Sequence, residues 1–259
     1  MTAQGVKETR IRIGGEQIRI WEKGTGAPLG YLAGLGGLLT WTPFLDKLAE
    51  KRRVIVPSLP GFPGGGLLHK QLDTFADWII CMLDILEASG LEGSDLVGHS
   101  IGGMLAAEVA AFSRASVKSL VLMAPLGFYD EKEPPGDPFN RRANELAPLF
   151  SSKPAEFQQE RLTPPAGLSA DDATEWTIVQ VRAVEAASRL LWPLGDLGLA
   201  KRLHRVTCPV KLVWGAEDHI VPPSYAKRFA QLLGGPSEIK VIPGAGHALD
   251  FDAPGAVSI

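Results

Sequence analysis

The chain has only two cysteines, Cys81 and Cys208. Cys81 sits in an apolar helical pattern and Cys208 just before a strand, so both read as small buried hydrophobes in a reducing compartment. No apolar run reaches the length of a membrane span, and the first ten residues are polar with no apolar signal core. A cytoplasmic protein with no membrane partner is therefore expected. No basic tract is present: 26 Lys and Arg stand against 29 Asp and Glu, a formal charge of −3, which disfavours a nucleic-acid partner. There is no internal repeat, no G-x-x-x-x-G-K-[ST], no H-E-x-x-H and no paired C-x-x-C, and Gly34-x-Gly36 lacks the later glycine of a dinucleotide fingerprint. Neither a cofactor nor a metal is expected.

What is present is alternation of strand and helix. Residues 9–13 and 17–21 alternate polar and apolar around Gly14-Gly15-Glu16 and read as a hairpin. Strands follow at 28–33, 53–56, up to Val97, 117–123, 209–215 and 238–242, with helices between them. Thr42-Pro43 reads as an N-cap with proline at the first helical position, and Thr74 with Asp77 as a capping box. This order predicts an α/β fold with a mostly parallel sheet covered on both faces. Residues 125–205 carry no strand pattern and are too long for a bare loop. Ser169 to Asp172 can cap a helix in which Trp176, Val179, Ala183, Ala187 and Leu190 recur at helical spacing. The division expected is a core of 1–124 and 206–259 with a helical cap at 125–205, over the carboxyl ends of the strands, where open α/β sheets bind ligands.

The most informative stretch is Leu96-Val97-Gly98-His99-Ser100-Ile101-Gly102, followed by an alanine-rich helix former. A strand that turns directly into a helix presents its corner side chain free of the sheet, at the positive end of the helix. A G-x-S-x-G arises by chance about 0.2 times in a chain of this serine and glycine content, so the surrounding strand and helix carry the weight. A serine hydroxyl needs a base. Of the five histidines, His247 in Pro243-Gly-Ala-Gly-His247 follows the last strand on a loop that can curl inward, whereas His99 lies within the elbow and His219 beside an acidic pair. The carboxylate that orients the imidazole is expected from the loop after Trp214-Gly215, with Asp218 first and Glu217 second. Gly34-Leu35-Gly36-Gly37, after the third strand, supplies the second oxyanion amide from Leu35, with Gly36 next, beside the amide of Ile101.

Gly34–Gly37, Gly98–Gly103, Pro209–Asp218 with Val221-Pro222, and Gly244–His247, in that order, resemble the α/β-hydrolase fold superfamily from about residue 10 onward. The resemblance implies a sheet of about eight strands, a helical cap after the sixth, and a Ser100–Asp218–His247 triad that transfers an acyl group to water. It is closest to bacterial carboxylesterases and to hydrolases that cleave carbon–carbon bonds in ring-fission products. Those ring-fission enzymes usually carry an aromatic residue after the catalytic histidine. Here Ala248 stands there, and Ile259 lies only twelve residues past His247, so the last helix is short or the chain is cut.

Ester cleavage of a small, mostly apolar substrate through an acyl-enzyme is thus expected first. Carbon–carbon hydrolysis by the same triad comes second, followed by cofactor-free halide peroxidation or a slow-turnover small-molecule receptor. Leu126, Phe128, Trp192, Leu194 and Ile220 are the expected pocket residues. A monomer or homodimer acting on a small molecule is expected.

Overall fold

A computed structural model describes residues 4–257 of the chain. The first three residues of the polar start and the last two of the chain lie outside them.

The hairpin of β1 (Lys7–Ile13) and β2 (Glu16–Lys23) turns on Gly14 and Gly15, both at positive φ. β2 runs antiparallel to β4 (Arg53–Pro57). From there β3 (Pro28–Leu32), β5 (Ser94–His99), β6 (Val117–Met123), β7 (Val210–Gly215) and β8 (Ser237–Ile242) are all parallel, in the order β1-β2-β4-β3-β5-β6-β7-β8. The central strands are near-continuous apolar runs because helices cover both faces.

α1 (Pro43–Ala49) begins where Thr42 accepts from the Leu45 amide, and α2 (Phe75–Ala88) begins on the Thr74–Asp77 capping box. α3 (Ile101–Phe112) is buried on nearly every side. Its glycines and alanines allow that close approach, and at its centre the fully buried Glu108 receives two bonds from Arg202, at 2.7 and 2.6 Å. Burial raises the Glu108 pKa, and the Arg202 charge only partly offsets the rise.

Between β6 and β7 lie α4 (Ala143–Phe150), α5 (Pro154–Arg161) and α6 (Ala170–Leu191), then two short 3₁₀ turns. Only α6, capped by Ser169 as its sequence implies, was visible in the periodicity. α4 is only eight residues long and contains Pro148, and α5 is a polar helix that buries only Phe157, so neither gives a sustained apolar period. α7 (Tyr225–Leu232) separates β7 from β8, and α8 (Leu249–Asp252) is a single turn after the histidine loop. No described helix is long and apolar enough to cross a membrane.

Candidate active site

At the end of β5, Ser100 has φ 55° and ψ −116°, a conformation that L residues avoid and that surrounding structure must enforce. Its amide donates to the Met123 carbonyl, and its own carbonyl accepts from Met104 and Leu126. The flanking glycines are steric requirements. A Cβ on Gly98 would lie 2.6 Å from the Gly102 carbonyl oxygen, and one on Gly102 only 2.2 Å from that of Leu32.

Three side chains from distant parts of the chain converge here. Ser100 Oγ is 2.8 Å from His247 Nε2, and His247 Nδ1 is 2.9 Å from Asp218 Oδ2. The carboxylate requires the imidazole proton on Nδ1, which leaves the Nε2 lone pair to accept from the serine hydroxyl. Asp218 is fixed in turn, since its Oδ1 accepts from the amides of Ile220 and Val221 at 2.8 Å each. All three residues are buried, whereas Glu217 and His219 are exposed, so the structure separates Asp218 from its neighbour.

His247 is delivered by a loop pressed against two neighbours. A Cβ on Gly215 would meet the Gly246 carbonyl oxygen at 2.2 Å. On the other side the loop is bound to the α4–α5 junction. Asp252 accepts from the Gly246 amide at 2.7 Å, from the Ser152 amide at 3.0 Å and from the Ser151 hydroxyl, while the Ala248 amide donates to the Phe150 carbonyl and Ser152 Oγ to that of Gly244.

Below His247 lies a second imidazole. His99 Nε2 donates to the His247 carbonyl at 2.8 Å, and its Nδ1 is 3.7 Å from Asp250, which pairs with Arg161 of α5 at 3.0 Å. Burial holds His99 below its ordinary pKa despite the nearby carboxylate. Burial pushes Asp250 the other way, but Arg161 and His99 outweigh it and keep the carboxyl below the usual range.

The loop after β3 turns on Gly36 and Gly37, both at positive φ, with the Gly37 amide donating to the Gly34 carbonyl. Arg19 holds it by donating to the carbonyls of Leu38 (2.7 Å) and Pro63 (2.9 Å). Gly34 approaches so closely that a Cβ would lie 3.2 Å from Ser100 Cβ. Leu35 and Ile101 border the same slot as Ser100, and among the described residues neither amide has a protein acceptor.

Three spaces lie in and beside the site, and one of them borders the serine. An apolar slot of about 10 Å³ contains Ser100. A polar recess of about 40 Å³ adjoins His247, His99 and Asp250. A chamber of about 400 Å³ opens between the 35–43 loop and α4–α6, with Lys153, Glu156, Glu160 and Gln180 on its walls. Of the expected pocket residues, Leu126, Leu194 and Ile220 line the slot. Phe128 does not: it stacks on Phe229 at 4.1 Å, within the core. Trp192 is 54 % exposed, its ring edge-on to Phe139. Leu191, Phe139 and Phe150 line the slot, and sequence reasoning missed them. It also set His99 aside and overlooked Asp250 and Arg161, whose spacing carries no local signal. Among the described residues no cluster of His, Cys, Asp or Glu could hold a metal ion.

Comparison with known proteins agrees with this fold. The model of the "Alpha/beta hydrolase family" matches residues 31–258. Over 97 % of its length the chain is 28 % identical to the dihydrolipoyllysine-residue acetyltransferase component of the acetoin cleaving system of Pseudomonas putida, and it spans about two thirds of that protein. It is 26 % identical to the 2-hydroxy-6-oxo-2,4-heptadienoate hydrolase of Pseudomonas putida strain F1, covering 93 % of this chain and 90 % of that one. Among solved structures, the 2-hydroxy-6-oxo-6-phenylhexa-2,4-dienoate hydrolase of Rhodococcus sp. strain RHA1 superposes with a TM-score of 0.74 at 20 % identity, covering 96 % of this chain and 94 % of that one.

Proposed function

The chain belongs to the alpha/beta hydrolase family, and we propose that it uses Ser100, His247 and Asp218 to hydrolyse the carbon–carbon bond beside the ketone of a conjugated, ring-fission-type product. In this reading 1–124 and 206–259 form the catalytic body and 125–205 its cap. The observation that carries hydrolysis is the unbroken Ser100–His247–Asp218 relay. His247 Nε2 takes the hydroxyl proton as Ser100 Oγ attacks the carbonyl carbon. The amides of Leu35 and Ile101 receive the oxyanion, each worth about 3 kcal/mol in the transition state. The adjacent carbon–carbon bond then breaks. Its electron pair passes into the conjugated leaving fragment, which takes the proton from His247. Water, deprotonated by the same imidazole, releases the acid and restores Ser100.

Carbon–carbon cleavage ranks ahead of ester cleavage because near full-length likenesses include two hydrolases of ring-fission dienoates. A two-sided site, with a small apolar slot and a larger, mainly apolar chamber that carries Lys153 and Arg161, also suits a substrate with a small acyl end and a larger conjugated acid end. Ester hydrolysis by the same triad is the second reading, favoured by Ala248 directly after the base. The two are separated by kcat/KM on a ring-fission dienoate against p-nitrophenyl acetate and butyrate. A dienoate advantage of tenfold or more supports the first reading, and the reverse order the second. Undiminished turnover by Ser100→Ala would end both.

A further inference from the structure

The spaces on the two sides of Ser100 are very unequal, and the position of His247 decides which half of a substrate enters which. The imidazole must protonate the departing fragment, so that fragment lies on the histidine side. His247 borders the polar recess and not the slot. The recess shares Leu38, Phe157, Arg161 and Asp250 with the 400 Å³ chamber. The leaving half therefore extends toward the chamber, and the acyl half faces the slot, beside the Ile101 amide.

The slot is small and most of its deep walls are buried. About 10 Å³ corresponds to roughly one water-sized sphere, which is room for a methyl group beyond the carbonyl carbon. Ile101 and Ile220 are almost completely buried, and Leu126 and Leu191 nearly so. The far wall cannot retreat at Gly136, whose amide donates to the Ile220 carbonyl at 2.8 Å and whose missing Cβ would lie 2.1 Å from the His219 carbonyl oxygen. Packed interiors of this kind resist added methylenes. Leu194, only partly buried, is the most adjustable side of the slot.

We propose that the enzyme is selective for acetyl-sized acyl groups joined to a much larger leaving half. Among ring-fission products it takes methyl ketones and rejects phenyl ketones. This rests on the serine-hydrolase reading above, whichever bond is cleaved.

The test is an acyl-length series of p-nitrophenyl esters from acetate to hexanoate, together with site-mapped fluorophosphonate labelling. The expected result is labelling of Ser100 and a kcat/KM that falls about tenfold or more with each methylene beyond acetate. Leu194→Ala, which vacates three carbons, moves the optimum to butyrate or pentanoate. If that variant does not fold, Ile220→Val carries the test, with an optimum one carbon longer than the wild type. Labelled Ser100 with a flat or rising profile to hexanoate overturns the slot assignment and leaves the hydrolase reading intact. So does a folded Leu194→Ala with the wild-type profile. No label on Ser100, with turnover indifferent to Ser100→Ala, overturns the hydrolase reading itself.

Discussion

Replacing Arg161 by methionine tests how the inserted helices are joined to the base. Arg161 lies on α5, Asp250 three residues beyond His247, and the pair is 3.0 Å apart with side-chain exposures of 24 % and 6 %. Removing one partner of a buried pair typically costs about 3–5 kcal/mol, because the surviving charge is left desolvated. Arg161 is a quarter exposed, so solvent offsets part of this, and a loss of about 2–3 kcal/mol is expected. Arg161→Met together with Asp250→Asn removes both charges and should recover at least about 1 kcal/mol relative to the sum of the single variants.

The pH dependence has a definite sign. In the wild type the folded pKa of Asp250 is depressed, so its contribution is present above the unfolded value near 3.8 and is lost as pH falls through the folded one. Without Arg161 the buried carboxyl shifts upward. The penalty of the single variant is then largest at high pH and shrinks as Asp250 takes up a proton. Urea midpoints of the four proteins at pH 7.5 and 5.5 measure all of this. Additive single and double variants, or a single-variant loss below about 0.5 kcal/mol, would refute the reasoning.

Gly34→Ala should lower kcat by about tenfold to a hundredfold with little change in melting temperature, since its Cβ, 3.0 Å from His99 Nδ1, displaces the loop that carries the Leu35 amide. Arg19→Met should reduce kcat in the same way by releasing the Leu38 carbonyl, and steady-state kinetics beside a circular-dichroism melt separates this from unfolding. His69 is fully buried with neither ring nitrogen hydrogen-bonded, and burial depresses its pKa. Below its ordinary value of 6.5 the unfolded chain binds a proton that the folded chain refuses, so stability falls on acidification from about that pH. His69→Leu should flatten, without abolishing, the drop in melting temperature between pH 7.5 and 5.5, because His99 is held low as well. Asp218→Asn should lower kcat by about 10⁴-fold at unchanged fold.

The strands, the capped helices α1, α2 and α6 and the triad were legible because each is announced by local chemistry. Apolar runs, Thr42-Pro43, Thr74 with Asp77, and glycines around a serine all act over a few residues. The order of Ser100, Asp218 and His247 supplied the rest. What stayed hidden depends on tertiary contact. α5 packs through the isolated Phe157 with no periodic stripe, and the apolar face of α4 is too short, and interrupted by Pro148, to stand out. His99, Asp250 and Arg161 form one network from three distant segments, and nothing near any of them in the chain signals it. Phe128 and Trp192 were misplaced for a related reason: position after a strand or helix says that a residue is near the site, and not which way it faces. Phe128 turned into the core, and Trp192 remained at the surface.

The bonds gathered by Asp252 have a consequence for ligand traffic. Swinging the α4–α5 corner outward would break its ties to Gly246, Ser151 and Ser152, along with the Ala248–Phe150 and Ser152–Gly244 bonds, and would pull His247 away from Ser100. Along α6 the anchors are weaker, an exposed Arg189–Asp73 pair at 3.4 Å and a His69–Glu185 approach at 3.6 Å. Polar bonds thus tie the α4–α5 corner to the histidine loop, whereas α6 is held by the burial of Ala183, Ala186, Ala187, Leu190 and Leu191. An opening at the α4–α5 corner would therefore separate His247 from Ser100, whereas one along α6 would break no bond of the histidine loop among the described residues.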